Sequence, residues 1–285
     1  MAHAAQSEYN LAKIPSLLAF TFMYNLGQAF GGLVTPALSE LIGRRTPYLV
    51  SSFIFSNACL LIAVTRNPAG VWAGRFISGF TSAIPAVVTA GSIEDMFDGS
   101  QRVWLVVLWN AGSTAGLCLG PVYGEYVLAA LGWRWVFYSA QIVTAVCFAC
   151  LLFVKESRPS CILRAKISLL RDRGVENLKW FDPDHAPDAK TLVRLVVVQP
   201  LRLLGTEPIV AMVTTISAVS WGIIYLFTES LPGIYLSLES GGFTRKTSSL
   251  VFLMFLPGIA LSFLPRFWDS KVVRARLERG EMIQP

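Results

Sequence analysis

Charge is scarce in this chain. Only 15% of its 285 residues are charged, against about 25% in an ordinary soluble domain. Hydrophobic residues make up 54% of it, and the mean hydropathy is +0.55. The core of a soluble protein this size is too small to hide that much apolar surface. The class that remains is a multi-spanning membrane protein with the lipid bilayer as its main partner. The net charge of +6 is no nucleic-acid footprint, because the bases gather between and after apolar runs, as membrane topology demands. No nucleic-acid partner and no obligate protein partner are expected.

Histidine is nearly missing. The two present, His3 and His185, lie outside the apolar runs. No set of ligands with metal spacing appears, and no nucleophile has a base beside it, so no metal, no cofactor and no enzymatic activity are expected. Of the five cysteines, Cys59, Cys118, Cys147 and Cys150 fall inside apolar runs and Cys161 does not. Cys147-x-x-Cys150 has the spacing of a redox pair, but its flanks VTAV and LLFV make it core filler, since a thiolate is strongly disfavoured in hydrocarbon. No secretory leader is expected either, because MAHAAQSEYN has no basic start leading into a short apolar stretch.

What is present is a series of long apolar runs. A spanning helix needs about 20 mostly apolar residues, and the expected spans are 16–38, 47–64, 71–93, 103–131, 135–154, 209–235 and 248–264. The fold class is therefore an all-α membrane protein with seven transmembrane helices. Between the fifth and sixth spans lies one long polar stretch, 155–207. Inside it, SCILRAKISLLRDR (160–173) and TLVRLVVVQPLRLL (191–204) read as interfacial segments lying on headgroups. A plain solvated linker is the other reading of the first. Placing the loop after the first span inside gives eighteen Lys and Arg inside and five outside. The N-terminus is then outside and the C-terminus inside. The expected organisation is an outer stretch 1–15, a five-helix bundle 16–154, a cytosolic loop 155–207, two further helices within 208–265 and a cytosolic tail 266–285.

Several short stretches stand out. PALSELIGRR (36–45) makes a tight basic turn at Gly43, Arg44 and Arg45, with Glu40 placed to pair with the arginines. SIEDMFDGSQR puts Glu94 and Asp95 at the same membrane edge, so these acids and bases form a candidate inside gate. An ordinary solvated helix end is the alternative. Arg75 lies inside a span, where a charge costs at least ~2.5–3.5 kcal/mol at the bilayer centre. It must face protein or water, or else snorkel to the outer edge. NAGSTAGLCLGPVYGE (110–125) repeats glycine at Gly112, Gly116, Gly120 and Gly124, with Pro121 after the third. In water that register would weaken a helix, whereas in lipid it lets two backbones approach closely. On the sixth span Trp221, Tyr225, Glu229 and Tyr235 share roughly one face. That face is either a lining for a cationic or aromatic substrate or a packing stripe.

These pieces, in this order, resemble the major facilitator superfamily, in particular its fungal drug:proton antiporters. PALSELIGRR looks like the family's loop signature between helices two and three, with Pro36 at the usual glycine, Glu40 at the aspartate and Leu41 replacing a basic residue. GRFISGF is similar to the helix-four arginine motif through Arg75 and Gly79, and GSTAGLCLGPVYGE to the antiporter motif. LGWRWVFY (131–138), KESRP (155–159) and TEPIV (206–210) look like further landmarks, and PRFWDSKVVR (265–274) like a degenerate second copy of the loop motif. The resemblance implies proton-coupled export of small organic molecules by alternating access, with Arg75 in proton coupling and the helix-five glycines as a hinge. It implies protons and a small organic substrate as partners and the plasma membrane as location. Aligned by motif, the chain starts just before helix two and ends after helix eight, so impaired transport and small-residue faces left without partners are expected. Two other readings stand beside it. One is a seven-helix receptor, which shares the topology, and the other is a non-functional fragment.

Overall fold

The computed structural model describes residues 21–97, 99–172, 196, 198–237 and 249–278, and among them there is no β-strand. Helix α1 spans Met23–Ile42, α2 Arg45–Val64, α3 Pro68–Met96, α4 Gly99–Leu131 and α5 Trp133–Leu151. Two shorter helices follow, α6 at Pro159–Asp172 and α7 at Gln199–Thr206. Then come α8 at Pro208–Ser237, a 3₁₀ turn at Leu250–Met254 and α9 at Phe255–Glu278. Helices α2 to α5 and α8 each contain a stretch long and apolar enough to cross a membrane, and Leu250–Pro265 is a shorter apolar stretch. Helix α1 is not among the five. Asn25, Gln28, Ser39 and Glu40 dilute its hydropathy, and the first residues of its expected span lie outside the described ones.

One boundary departs from the sequence expectation. The last span was expected to stop at Leu264, with a loop motif after it, yet α9 runs on through Pro265 to Glu278. Proline lacks one N–H and tends to kink a helix without always ending it. The residues that follow are mostly compatible with a helix.

The chain divides into two compact units. The first contains α1, α2, α3, α5, α6 and α7, and its core is the packing of α1 and α2 on α3 and of α2 on α5. On α2 the buried positions are Pro47, Ser51, Ser52, Ser56, Ala58, Cys59, Ile62 and Ala63. That small, partly polar stripe replaces the Leu–Ile stripe of a soluble helix, because lipid gives no hydrophobic drive and tight backbone approach must do the joining. The hydroxyls on the seams need no water. Thr35 donates to the Gly31 carbonyl at 2.6 Å, Ser78 to Arg75 at 3.0 Å and Thr81 to Ile77 at 2.8 Å.

The α1–α3 seam is closer still. A Cβ added to Gly27 or Gly31 would run into the Phe76 or Phe80 carbonyl of α3, and one added to Gly79 into the Tyr24 carbonyl of α1. Outward positions are large and apolar, among them Phe53, Leu60, Val143 and Phe153. This surface suits acyl chains and would be a liability in water. The second unit holds most of α4, the later part of α8 and α9, with Trp104 edge-on to Phe267 at 5.3 Å between centroids.

Candidate gating site at the α1–α2 turn

Helix α1 ends at Ile42 and α2 begins at Arg45, so two residues reverse the chain. Gly43 takes φ +98°, where L side chains rarely go, and a Cβ there would lie 2.7 Å from a Glu156 carboxylate oxygen. Both constraints demand glycine. The turn leaves the first backbone N–H groups of α2 without helical partners. Glu156, from the segment after α5, supplies them: its Oε1 accepts from Arg44 N at 2.9 Å and its Oε2 from Arg45 N at 3.0 Å. Ser157 N and Arg158 N also donate to Oε1, at 3.1 and 3.0 Å. Burial pushes the Glu156 carboxyl up, but the N–H groups of Arg158, Arg44, Arg45 and Ser157 outweigh it and hold it below the ordinary carboxylate value. A residue distant in sequence thus caps α2.

The Arg44 side chain carries the network into the bundle. Its Nε donates to Asp95 Oδ2 at 2.8 Å, with only 12% and 19% of the two side chains exposed. Its Nη1 donates to Ser39 Oγ at 2.9 Å, and Ser39 in turn donates to the Pro36 carbonyl at 3.0 Å. The guanidinium lies against Gly91 of α3, where a Cβ would meet it at 2.6 Å. Arg158 Nη1 reaches the Ser39 carbonyl at 3.2 Å, and Arg45 Nη2 the Leu152 carbonyl at 3.0 Å. The ends of α1, α2, α3 and α5 are therefore held by three arginines, one carboxylate on α3 and one carboxylate after α5. A turn further in, the Tyr48 hydroxyl hydrogen-bonds Thr89 at 2.9 Å.

Of the residues singled out from sequence, Gly43, Arg44, Arg45 and Asp95 come together here. Glu40 does not join the arginines: it is exposed in the last turn of α1, while Ser39 beside it is buried and takes the contact. Glu94 is also exposed. Glu156, Ser39, Arg158 and Gly91 were missed. The visible signal was KESRP, an acid between two bases just past a span that ends at the same edge.

Arg75 sits half-buried on α3, remote in sequence from this cluster. Its guanidinium carbon lies 4.8 Å from the Phe137 ring centroid and 5.8 Å from that of Tyr24. Those distances suit cation–π attraction, worth more when desolvated. On α4, Gly112, Gly116 and Gly120 face open space, with nothing within 4 Å of an added Cβ, while Gly124 is buried. Pro121 is inside the helix. Trp221 and Tyr225 on α8 lie 6.2 Å apart and are both exposed. The side chains of Glu229 and Tyr235 lie outside the described residues, as does that of Leu41.

Comparison with known proteins gives these features a common setting. The family model of the Major Facilitator Superfamily matches residues 4–280. An uncharacterised transporter of Schizosaccharomyces pombe is 31% identical over 257 residues, 90% of this chain and 47% of that protein. A multidrug transporter of Candida glabrata is 28% identical over 96% of this chain and 48% of its own length. An efflux pump of Floropilus chiversii is 32% identical over 84% of this chain and 44% of its own length. The chain spans about half the length of the curated relatives it matches. A match of this extent leaves the receptor reading without support. It places the chain in a family of transporters, not of enzymes, and in an integral membrane setting. With its family model matched over nearly the whole chain and its helices apolar enough to cross a bilayer, the chain belongs to the major facilitator superfamily.

Proposed function

We propose that the protein serves proton-coupled export of small organic molecules by alternating access, in the plasma membrane. The observation that carries this reading is Arg44 held by Asp95 and Ser39 while Glu156 caps α2. This is a latch of charge-assisted hydrogen bonds at the ends of four helices. Such bonds are strong when formed and release together when the helices part. With the basic load inside, this edge is cytosolic, and Gly43, Arg44, Arg45 and Asp95 form the cytosolic gate, bordered by Glu40 and Glu94. Arg75 serves proton coupling, since a cation in the span biases the protonation of groups brought near it. Gly112, Gly116, Gly120, Pro121 and Gly124 serve as the hinge, and Trp221 and Tyr225 line the substrate path. The names of the Candida glabrata and Floropilus chiversii relatives support drug-like or secreted organic substrates.

The test grafts this chain into the matching region of the Candida glabrata multidrug transporter and reconstitutes it in proteoliposomes with an internal pH dye. Weakly basic drugs and polyamines are then added under a proton gradient. Substrate-dependent proton movement is expected, with loss in Arg75→Ala. A folded graft that moves no substrate overturns the export reading. Drug movement that is indifferent to the gradient and to Arg75→Ala overturns the coupling.

A further inference from the structure

Helix α6 presents an unusual face to its surroundings. It begins at Pro159, directly after the residues that bind the α1–α2 turn. Glu156 accepts from Arg44 N and Arg45 N, and Arg158 donates to the Ser39 carbonyl. These three bonds fix the start of α6 at the level where α1 ends and α2 begins. Helices α2, α3 and α5 are long and apolar enough to span a bilayer, so that level is the headgroup region. The less exposed side of α6 carries Cys161, whose sulfur packs against Gly43, together with Arg164 and Ile167. Four other large apolar residues point away from it. Leu169 is 58% exposed and Leu163 47%, with Ile162 and Leu170 also exposed. Lys166 is exposed among them. The helix carries three bases, Arg164, Lys166 and Arg171, against one acid, Asp172.

We infer that α6 docks on the anionic phospholipid surface of the leaflet at this edge, with Ile162, Leu163, Leu169 and Leu170 in the acyl boundary and Lys166 reaching the phosphates. A solvated linker has no use for four leucine-sized groups turned outward. A helix tied at headgroup depth with an outward apolar face and excess positive charge has the features of interfacial binding to acidic lipid. A lysine within the apolar sector suits this, because its stem lies along hydrocarbon while the ammonium reaches outward. Because Glu156 links α6 to the turn that positions Arg44, lipid bound by α6 acts directly beside the Arg44–Asp95 pair. The inference rests on membrane integration and not on the transport reading, so an absence of proton flux leaves it standing.

Hydrogen–deuterium exchange of residues 159–172 tests it, on the full chain in nanodiscs of phosphatidylcholine alone and of phosphatidylcholine mixed with phosphatidylglycerol. Exchange is expected to be about fivefold slower on the anionic mixture than on the neutral lipid. Lys166→Gln is expected to remove most of that difference and leave the neutral-lipid rate unchanged. Leu169→Ser is expected to speed exchange on both lipids, and high salt to act like Lys166→Gln. Equal exchange on the two lipids overturns the inference, as does a Lys166→Gln effect of the same size on both. Protection that persists in neutral detergent assigns the face to the chain itself, and protection that grows with copies per nanodisc assigns it to a second copy. Either result overturns lipid docking.

Discussion

Helices α1 and α4 both carry glycine at four-residue spacing, and they use it differently. On α1, Gly27 and Gly31 lie against α3, so close that an added Cβ would strike a backbone carbonyl, and Gly79 returns the contact from α3. On α4, Gly112, Gly116 and Gly120 repeat the same spacing and meet nothing within 4 Å. Spacing alone therefore marks a face that permits close approach without saying whether a partner fills it. Around the closed seam the polar groups are also settled, from Thr35 and Ser39 on α1 to the Arg44–Asp95 pair. Small residues joining helices and charges latching their ends act on the same few elements.

The largest expected effect comes from breaking the closed seam. Gly79→Ala places a methyl group against the Tyr24 carbonyl, and backbone cannot swing aside as a side chain can. The cost is expected to reach about 3 kcal/mol or more, the upper range for overpacking. Thermal unfolding in detergent, followed by size-exclusion chromatography, measures it. A variant as stable as the parent would show that α1 and α3 do not approach as described.

The latch comes next. Arg44→Ala strands the partly buried Asp95, and the expected loss is about 1–3 kcal/mol, below the roughly 3–5 kcal/mol of a fully buried pair. A cycle with Asp95→Ala isolates the pairwise part, since the double variant should cost clearly less than the two singles added. Strict additivity would mean that the 2.8 Å contact contributes nothing of its own.

Glu156 gives a smaller effect with a definite pH signature. Its carboxyl is held below the ordinary value in the folded chain. Its stabilisation is therefore fully present above the unfolded-state carboxylate pKa and lost as pH falls through the lowered native one. Parent and Glu156→Gln are expected to differ most in thermal midpoint near neutral pH and to converge in acid. A gap that widens on acidification would reverse the sign and remove the cap as its cause.

Much of this was legible in the sequence, because hydrocarbon is a simple solvent. It demands long apolar runs and expels charge, so the runs and the basic turn at Gly43–Arg45 could be read directly. The partners of that turn could not. Glu40 is four and five positions from Arg44 and Arg45, so local spacing favours it. Yet burial of Ser39 turns Glu40 outward, and the carboxylate that meets the turn comes from 112 positions away. Gly91 was hidden for a similar reason, since its need for a missing side chain arises only from the arginine lying on it. Pro265 works in the other direction, because in the sequence it marks a helix end and in the structure it sits inside a helix.

The open register on α4 gives the smallest stability effect and the sharpest contrast. Gly112→Ala, Gly116→Ala and Gly120→Ala add methyl groups where there is room, so no clash offsets the better helix propensity of alanine. Each is expected to leave stability unchanged or raise it by up to about 1 kcal/mol. Measured beside Gly79→Ala in the same detergent, they separate the two glycine faces by sign. If these glycines form the proposed hinge, the same substitutions should slow transport in the graft while the fold gains stability, because a stiffer helix bends less readily around Pro121. A loss of stability at Gly116 comparable to that at Gly79 would instead mean that a backbone covers α4 as closely as α3 covers α1, and the contrast between the two faces would fail.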